Sequence, residues 1–319
     1  SHPRRHTRMS LQRDALLGVA IGDALGVPVE FRSRENIAKD PVVGMREFGV
    51  HNQPMGTWSD DSSLTFCLAE VLTQEYNTEH IGKSFEAWLY DRHWTAHGKV
   101  FDIGGTTRTA IDRIAQGHVA ETAGPDDDRS QGNGSLMRIL PLVFHIKDMS
   151  LEDRWDIVKR TSAITHGHIN CAIACFFYLE VAKEIIESKE NIKHKHGRFM
   201  HAYHIACLGI KSLSLDHEPF RRIIDGGLLS EDVSRIRSTG YVVDTLEASL
   251  WCINNTNSYA DAVLKAVNLG EDTDTTAAVT GGLAGILYGI DSAPVEWVRC
   301  LARRWDIEDL AELLMIKYP

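Results

Sequence analysis

Segment after segment of this chain repeats its apolar residues with a period of about 3.6, and no stretch alternates apolar and polar as a half-buried strand would. The helical pattern runs over Leu11–Leu25, Ser62–Gln74, Ser84–His93, Thr106–Gln116, Ser135–Phe144, Leu151–Thr161 and His168–Ser188. It resumes over His201–Lys211, Val243–Cys252, Tyr259–Leu269, Thr275–Tyr288, Pro294–Trp305 and Ile307–Ile316. A chain so patterned can only build packed helices, which predicts an all-α fold. Arg32–Met55 reads as loop, punctuated by Pro41, Gly44, Gly49 and Pro54. No internal repeat, low-complexity tract or linker divides the chain, and 319 residues at 43% hydrophobic content can bury a large core without disulfides. The expectation is one compact multi-helix domain over residues 10–319, preceded by a flexible segment, residues 1–9.

The formal net charge of -10 and the pI near 5.8 argue against a duplex nucleic-acid partner, which needs a basic face. Nucleotide-sized ligands are still allowed, because a metal can neutralise phosphate locally. The six cysteines lack CxxC spacing and lie mostly in apolar helical surroundings, so they read as reduced core thiols of a cytoplasmic protein. Residues 1–8 are basic and carry no apolar h-region, so no secretory signal is expected, and Met9 is a candidate natural start. The run Ala277–Ile290 is interrupted by glycines and falls short of the roughly 20 residues that span a bilayer, so no membrane span is expected.

Two acidic clusters carry the chemistry: Trp58-Ser59-Asp60-Asp61-Ser62 and Glu271-Asp272-Thr273-Asp274-Thr275-Thr276. Each opens onto a helical pattern. Asp60 and Asp61 fall in or just before a first helical turn, and an extended Asp272–Asp274 segment would point both carboxylates the same way. Helix capping accounts for one Asp or Ser per helix, at about 1 kcal/mol. Each turn here holds paired Asp plus hydroxyls, more negative charge than a cap requires, and converging turns would call for a cation. Carboxylates and hydroxyls without Cys or paired His suit Mg²⁺, Mn²⁺ or Ca²⁺ rather than Zn²⁺. Four aspartates with Glu30 overfill one Mg²⁺ shell, whereas two ions roughly 3.5–4 Å apart can share a bridging carboxylate. Asp23, on the apolar face of the first helix, reads as structural, and the histidine-bearing 187–198 stretch as a solvated helix end and loop.

The loops leave alternatives open. Gly132-Asn133-Gly134-Ser135 precedes an apolar run, so its N–H groups either cradle a phosphate or ribose or form a plain turn. Asp102, before Gly104-Gly105-Thr106, could cap the helix that follows. His166 and His168 suit hydrogen bonds to a phosphorylated or polyhydroxylated ligand, or belong to a surface turn. Tyr241 offers a face for a base to stack on, or is core.

Taken together and in order, these segments resemble the ADP-ribosylglycohydrolase family, over about Gly18–Gly289. The resemblance rests on Gly22-Asp23-Ala24-Leu25-Gly26 with Glu30, Thr57 through Asp61, Asp102-Ile103-Gly104, Gly132 through Arg138, Thr165 through His168, Gly240-Tyr241-Val242 and Gly270 through Thr276. It implies an all-α fold with a central cleft that holds two Mg²⁺ or Mn²⁺ ions and binds ADP-ribose. By that resemblance Ser59, Asp60 and Asp61 bind one ion, Glu30, Asp272 and Thr275 the other, and Asp274 bridges. Asn133, Gly134 and Ser135 hold the diphosphate or distal ribose, His166 contacts the ligand, Tyr241 stacks near it, and Asp102 lies on the scissile side. Gly105 departs from the Asn often found there.

The implied reaction removes ADP-ribose from an ADP-ribosylated protein side chain, with Glu30 or Asp102 as base; an arginine linkage suits an acidic partner for the leaving guanidine. Two readings from other classes stand beside it: an ADP-ribose- or toxin-binding protein with little turnover, and a Mg²⁺-dependent nucleotide phosphohydrolase. The latter fits the paired carboxylates equally well on physics alone.

Overall fold

The computed structural model describes residues 8–319, so most of the expected flexible segment over residues 1–9 lies outside the described residues. The chain forms α1 (Leu11–Gly26), α2 (Arg34–Ala38), α3 (Asp60–Leu72), α4 (Thr78–Asp91), α5 (Gly105–Ala115), α6 (Leu142–Ile146), α7 (Leu151–Ser162) and α8 (Ile169–Glu187). It continues through α9 (Lys195–Ser212), α10 (Arg221–Ile224), α11 (Val242–Asn254), α12 (Tyr259–Asn268), α13 (Thr273–Tyr288), α14 (Val295–Arg299) and α15 (Arg304–Lys317). Among the described residues there is no strand, only isolated bridges at Phe48–Gln53 and Gly132–Tyr241. The all-α expectation holds.

At the centre, α1 and α13 lie antiparallel with their backbones almost touching. A Cβ on Gly18 would lie 2.4 Å from the Gly281 carbonyl oxygen, one on Gly22 2.1 Å from that of Ala277, and one on Gly26 2.4 Å from Asp274 Cα. Only glycine at every fourth position permits this approach. The register brings the C-terminal end of α1 against the N-terminal end of α13. Tyr178 and Tyr259 donate from inside the core to the carbonyls of Val279 and Gly18, both at 2.7 Å, which ties α8 and α12 to this central pair. Ion pairs tie the outer helices: Arg154 of α7 grips Glu180 of α8 through two bonds, and Arg13 of α1 pairs with Glu308 of α15.

Several boundaries differ from the sequence expectation. The apolar run from Ser135 to Phe144 is not one helix but a 3₁₀ turn at Leu136–Arg138 followed by α6. Pro141 lacks an N–H and steers the residue before it away from helical backbone. Helix α9 starts six residues before His201, within the charged stretch, because the His194 ring accepts from Gly197 N–H at 3.1 Å and caps it. Helix α4 likewise starts at Thr78, where Asn77 accepts from His80 N–H at 2.9 Å. Arg303, in left-handed backbone with φ 53°, separates α14 from α15. Ser33 caps the short α2 inside the expected loop. All six cysteines are free, five of them buried, and among the described residues no helix is long and apolar enough to cross a membrane.

Candidate active site and metal centre

Three helix ends meet at one cleft: the C-terminal end of α1 and the N-terminal ends of α3 and α13. Asp23 sets the junction. It is fully buried, and its carboxylate accepts from Ser59 N–H (2.8 Å), Ser59 Oγ (2.7 Å), Ser62 N–H (3.2 Å) and Ser62 Oγ (2.7 Å). Burial pushes its pKa up to about 6, against the pull of those four hydrogen bonds. Asp23 is thus the structural residue the pattern suggests, clamping the start of α3 to α1.

That clamp carries Asp60 and Asp61 into the cleft. Each has one carboxylate oxygen, Oδ1 of Asp60 and Oδ2 of Asp61, that is buried and without a hydrogen-bond partner. Asp274 faces them from the first turn of α13, with its Oδ2 3.2 Å from Ser59 Oγ. Asp272 sits at the N-cap position of α13 with φ -86° and ψ 65°, not in an extended segment, because the helix already starts at Thr273. The two carboxylates converge all the same, since Glu30, Asp272 and Asp274 bring oxygens within 4.8 Å of one another. Asp60, Asp102 and Asp274 do so as well, as do Asp23, Asp61 and Asp274.

Glu30 follows the end of α1 by one 3₁₀ turn and lies within hydrogen-bond reach of Asp102 and Asp274. Burial first, then the charge of Asp274, drives its pKa far upward. Burial likewise raises Asp60, Asp61 and Asp274 well above the carboxylate range, with repulsion from Asp102, Asp274 and Asp272 respectively as the next cause. Asp102 is raised by its own burial. Among the described residues no lysine or arginine lines the cleft to offset this charge. Buried hard-oxygen ligands from several elements, two of them orphaned at the start of α3, converge without a lysine or arginine among the described residues, which fits a divalent metal.

The remaining lining comes from Phe31, Gly104 through Thr107, Gly132, Asn133, Gly134, Met137, His166 and Thr275, around a cavity of about 280 Å³. Asp102 does not cap α5; Gly104 holds that position, and Asp102 stands at φ 60° with its carboxylate turned to Glu30. At Gly105 a Cβ would meet nothing within 4 Å, so the departure from Asn leaves open space. Asn133 donates through Nδ2 to Asp272 Oδ2 at 2.8 Å and to Thr245 Oγ1 at 2.9 Å, so its side chain orients a carboxylate. Gly134 packs over His166, where a Cβ would come 2.5 Å from the ring.

Two residues expected at the ligand do not line this cleft. Ser135 is fully buried and accepts from Ser162 Oγ at 2.8 Å, leaving only its backbone near the loop. Tyr241, 37% exposed, lies outside the cleft lining, its backbone paired with Gly132. No longer helix follows Gly132–Ser135, so a helix N-terminus does not assist that loop; its N–H groups are those of a turn. His166 is buried and lines the cleft rather than lying on a surface turn, whereas His168 caps α8 by accepting from Asn170 N–H.

Sequence reasoning missed His51, whose Nε2 lies 2.6 Å from Glu30 Oε1. It sits in a glycine-punctuated loop, 21 positions from Glu30, and no spacing rule links them. It also missed Phe31, 67% exposed with φ 71°, whose ring lies 6.0 Å from that of His51. A bulky residue with positive φ leaves no local sequence signal.

This arrangement defines a hydrolase-type cleft of clustered carboxylates. A family model for ADP-ribosylglycohydrolase matches residues 4–319, and the chain belongs to that family of enzymes. It is 32% identical over 313 residues to the ADP-ribosylarginine hydrolase Tri1 of Pseudomonas putida (strain GB-1), covering 96% of this chain and 78% of that one. It is 27% identical over 301 residues to the ADP-ribosyl-[dinitrogen reductase] glycohydrolase of Rhodospirillum rubrum, covering 89% of this chain and 87% of that one. A solved structure described as an ADP-ribosylglycohydrolase-related protein complex superimposes with a TM-score of 0.79 at 29% identity, covering 97% of this chain and 98% of the other.

Proposed function

We propose that this protein hydrolyses the bond between ADP-ribose and an arginine side chain of a modified protein, using two Mg²⁺ or Mn²⁺ ions in the cleft. The observation that carries the reading is the pair of orphaned, buried oxygens on Asp60 and Asp61, facing Asp274 in a cleft that no lysine or arginine lines among the described residues. Ser59, Asp60 and Asp61 would hold one ion and Glu30, Asp272 and Thr275 the other, with Asp274 between them. When bound, such ions fix ribose hydroxyls and lower the pKa of a water.

The chain's own groups supply the rest. Attack at C1″ forms a C–O bond as the C–N bond to the guanidine breaks. The attacking water's proton passes to Glu30 or Asp102, which share a hydrogen bond, and the departing guanidine nitrogen takes up a proton. His51 holds Glu30 through its 2.6 Å contact. The arginine acceptor is supported by the Tri1 relatives and by Phe31, an exposed ring beside these carboxylates of the kind on which a planar guanidinium stacks. The free thiols fit a cytoplasmic site of action.

The test is product analysis on arginine- and serine-linked ADP-ribosyl peptides with Mg²⁺ or Mn²⁺. Free ADP-ribose from the arginine-linked peptide is expected. AMP or phosphate would signal a phosphohydrolase, and tight binding without turnover a binding protein.

A further inference from the structure

Arg138 is fully buried in the 3₁₀ turn after the Gly132–Ser135 loop and has no carboxylate partner among the described residues. Its guanidinium lies over the Phe85 ring at 4.8 Å, and its Nε and Nη1 are buried without acceptors. A buried charge lacking a counterion is costly, so what the remaining nitrogen does becomes informative. Nη2 makes its shortest bond to Thr165 Oγ1 at 2.8 Å and also donates to the Thr161 carbonyl at 3.1 Å, with the Ser162 carbonyl more distant at 3.4 Å. Thr165 is also fully buried, and its Oγ1 lies 2.8 Å from His166 Nδ1.

The proton direction along this chain follows from the donors. Arginine only donates, so Thr165 Oγ1 accepts from Arg138 and has its own hydrogen left to give. His166 Nδ1 is the acceptor for that hydrogen; were Nδ1 protonated, a buried hydroxyl hydrogen would be stranded. Nδ1 therefore accepts, and the proton of the neutral ring sits on Nε2. That nitrogen has no partner among the described residues and lies under the glycine loop, where a Cβ on Gly134 would come within 2.9 Å and one on Gly132 within 3.8 Å. Burial, and next the Arg138 charge, lower the His166 pKa to about 3, so the ring stays neutral.

We propose that Arg138 and Thr165 are positioning residues that lock His166 as its Nε2–H tautomer, making it a fixed hydrogen-bond donor to an acceptor oxygen of the ligand rather than a proton-transfer group. The proposal rests on the function above only for the identity of that ligand; the tautomer is a property of the free protein.

Long-range ¹⁵N–¹H correlation spectra of [¹⁵N]histidine-labelled protein at pH 7 read the tautomer directly. His166→Gln assigns the signal among the 15 histidines. The expected result is Nε2–H in the wild type and in Thr165→Ser, and a loss of that pattern in Thr165→Val. Calorimetry should show ADP-ribose binding about tenfold weaker in Thr165→Val, restored in Thr165→Ser, with Mn²⁺ binding unchanged, as one lost hydrogen bond implies. If ADP binding weakens in parallel the acceptor is a phosphate oxygen, and if only ADP-ribose binding weakens it is an oxygen of the distal ribose. A wild-type ring protonated on Nδ1 or on both nitrogens, or unchanged tautomer and affinity in Thr165→Val, would overturn the proposal. Absence of ADP-ribose release by the wild type would defeat the proposed function and leave the tautomer result standing.

Discussion

Asp23 and Asp60 are the same residue type, both buried, and do opposite jobs. Asp23 accepts four hydrogen bonds, whereas Asp60 keeps an oxygen with none. Asp23→Asn puts an NH₂ group against Ser59 and Ser62 donors, so stability should fall by about 2–3 kcal/mol, the range for a lost charged acceptor, with metal present or absent. Asp60→Asn should abolish ADP-ribose release yet leave the metal-free melting temperature unchanged or higher, since it removes unpaired buried charge. Thermal melts with EDTA and with Mn²⁺ separate the two; parallel behaviour of both variants would contradict the division of roles. Gly134→Val should displace the His166 ring, because even a Cβ comes within 2.5 Å of it. ADP-ribose affinity should then drop with metal affinity nearly intact, and calorimetry on both ligands checks this. The carboxylates of the centre were legible because paired Asp exceeds what a cap needs. His51 and Phe31 were not, since one lies on a distant loop and the other depends on a backbone angle. Ser135 was legible as part of a glycine loop, but which way its side chain turns depends on Ser162, which reaches it only through packing.

The cleft depends on the register of α1 against α13, and that register depends on glycine. A Cβ at Gly22 would lie 2.1 Å from the Ala277 carbonyl oxygen, a distance that only separation of the two helices can relieve. Gly22→Ala should therefore cost about 3 kcal/mol or more, at the upper end for overpacking. It should also weaken metal binding, because Glu30 follows one helix and Asp272 and Asp274 begin the other. An exposed control, Gly98→Ala, meets nothing within 4 Å but has φ 80°, so it should carry only the smaller backbone cost and leave metal binding alone. Equal loss of metal affinity in both variants would count against the register argument. Long helices were legible from period alone, as α1, α8 and α13 show within a residue or two at each end. Failures cluster where something other than period decides: Pro141 breaking an apolar run, His194 capping a helix with its ring, and Arg303 reversing the chain in left-handed backbone.

At the scale of the whole molecule, the carboxylate cluster makes stability depend on pH and metal together. Burial and mutual repulsion raise the pKa of Glu30, Asp60, Asp61 and Asp274, and Asp23 reaches about 6. For a group raised on folding, the unfolded chain releases its proton first. The contribution to stability is thus full below the ordinary carboxylate pKa of roughly 4 and is lost as pH rises through the folded value. For Asp23 that window runs from about 4 to about 6, and for the four cleft carboxylates it extends higher. Glu70, whose pKa is lowered by its hydrogen bond to His93, acts in the opposite sense, so the cluster is best isolated by the difference between melts in saturating Mg²⁺ or Mn²⁺ and in EDTA. A cation bound by ionised oxygens competes with these protons and stabilises the native state by mass action. The metal-induced rise in melting temperature should accordingly be small near pH 4, grow steadily to pH 7 and beyond, and shrink in Asp60→Asn. Zn²⁺ should substitute poorly, because every proposed ligand is a hard oxygen. A metal effect that is constant across this range, or largest at acid pH, would mean that the ions bind somewhere other than this cluster.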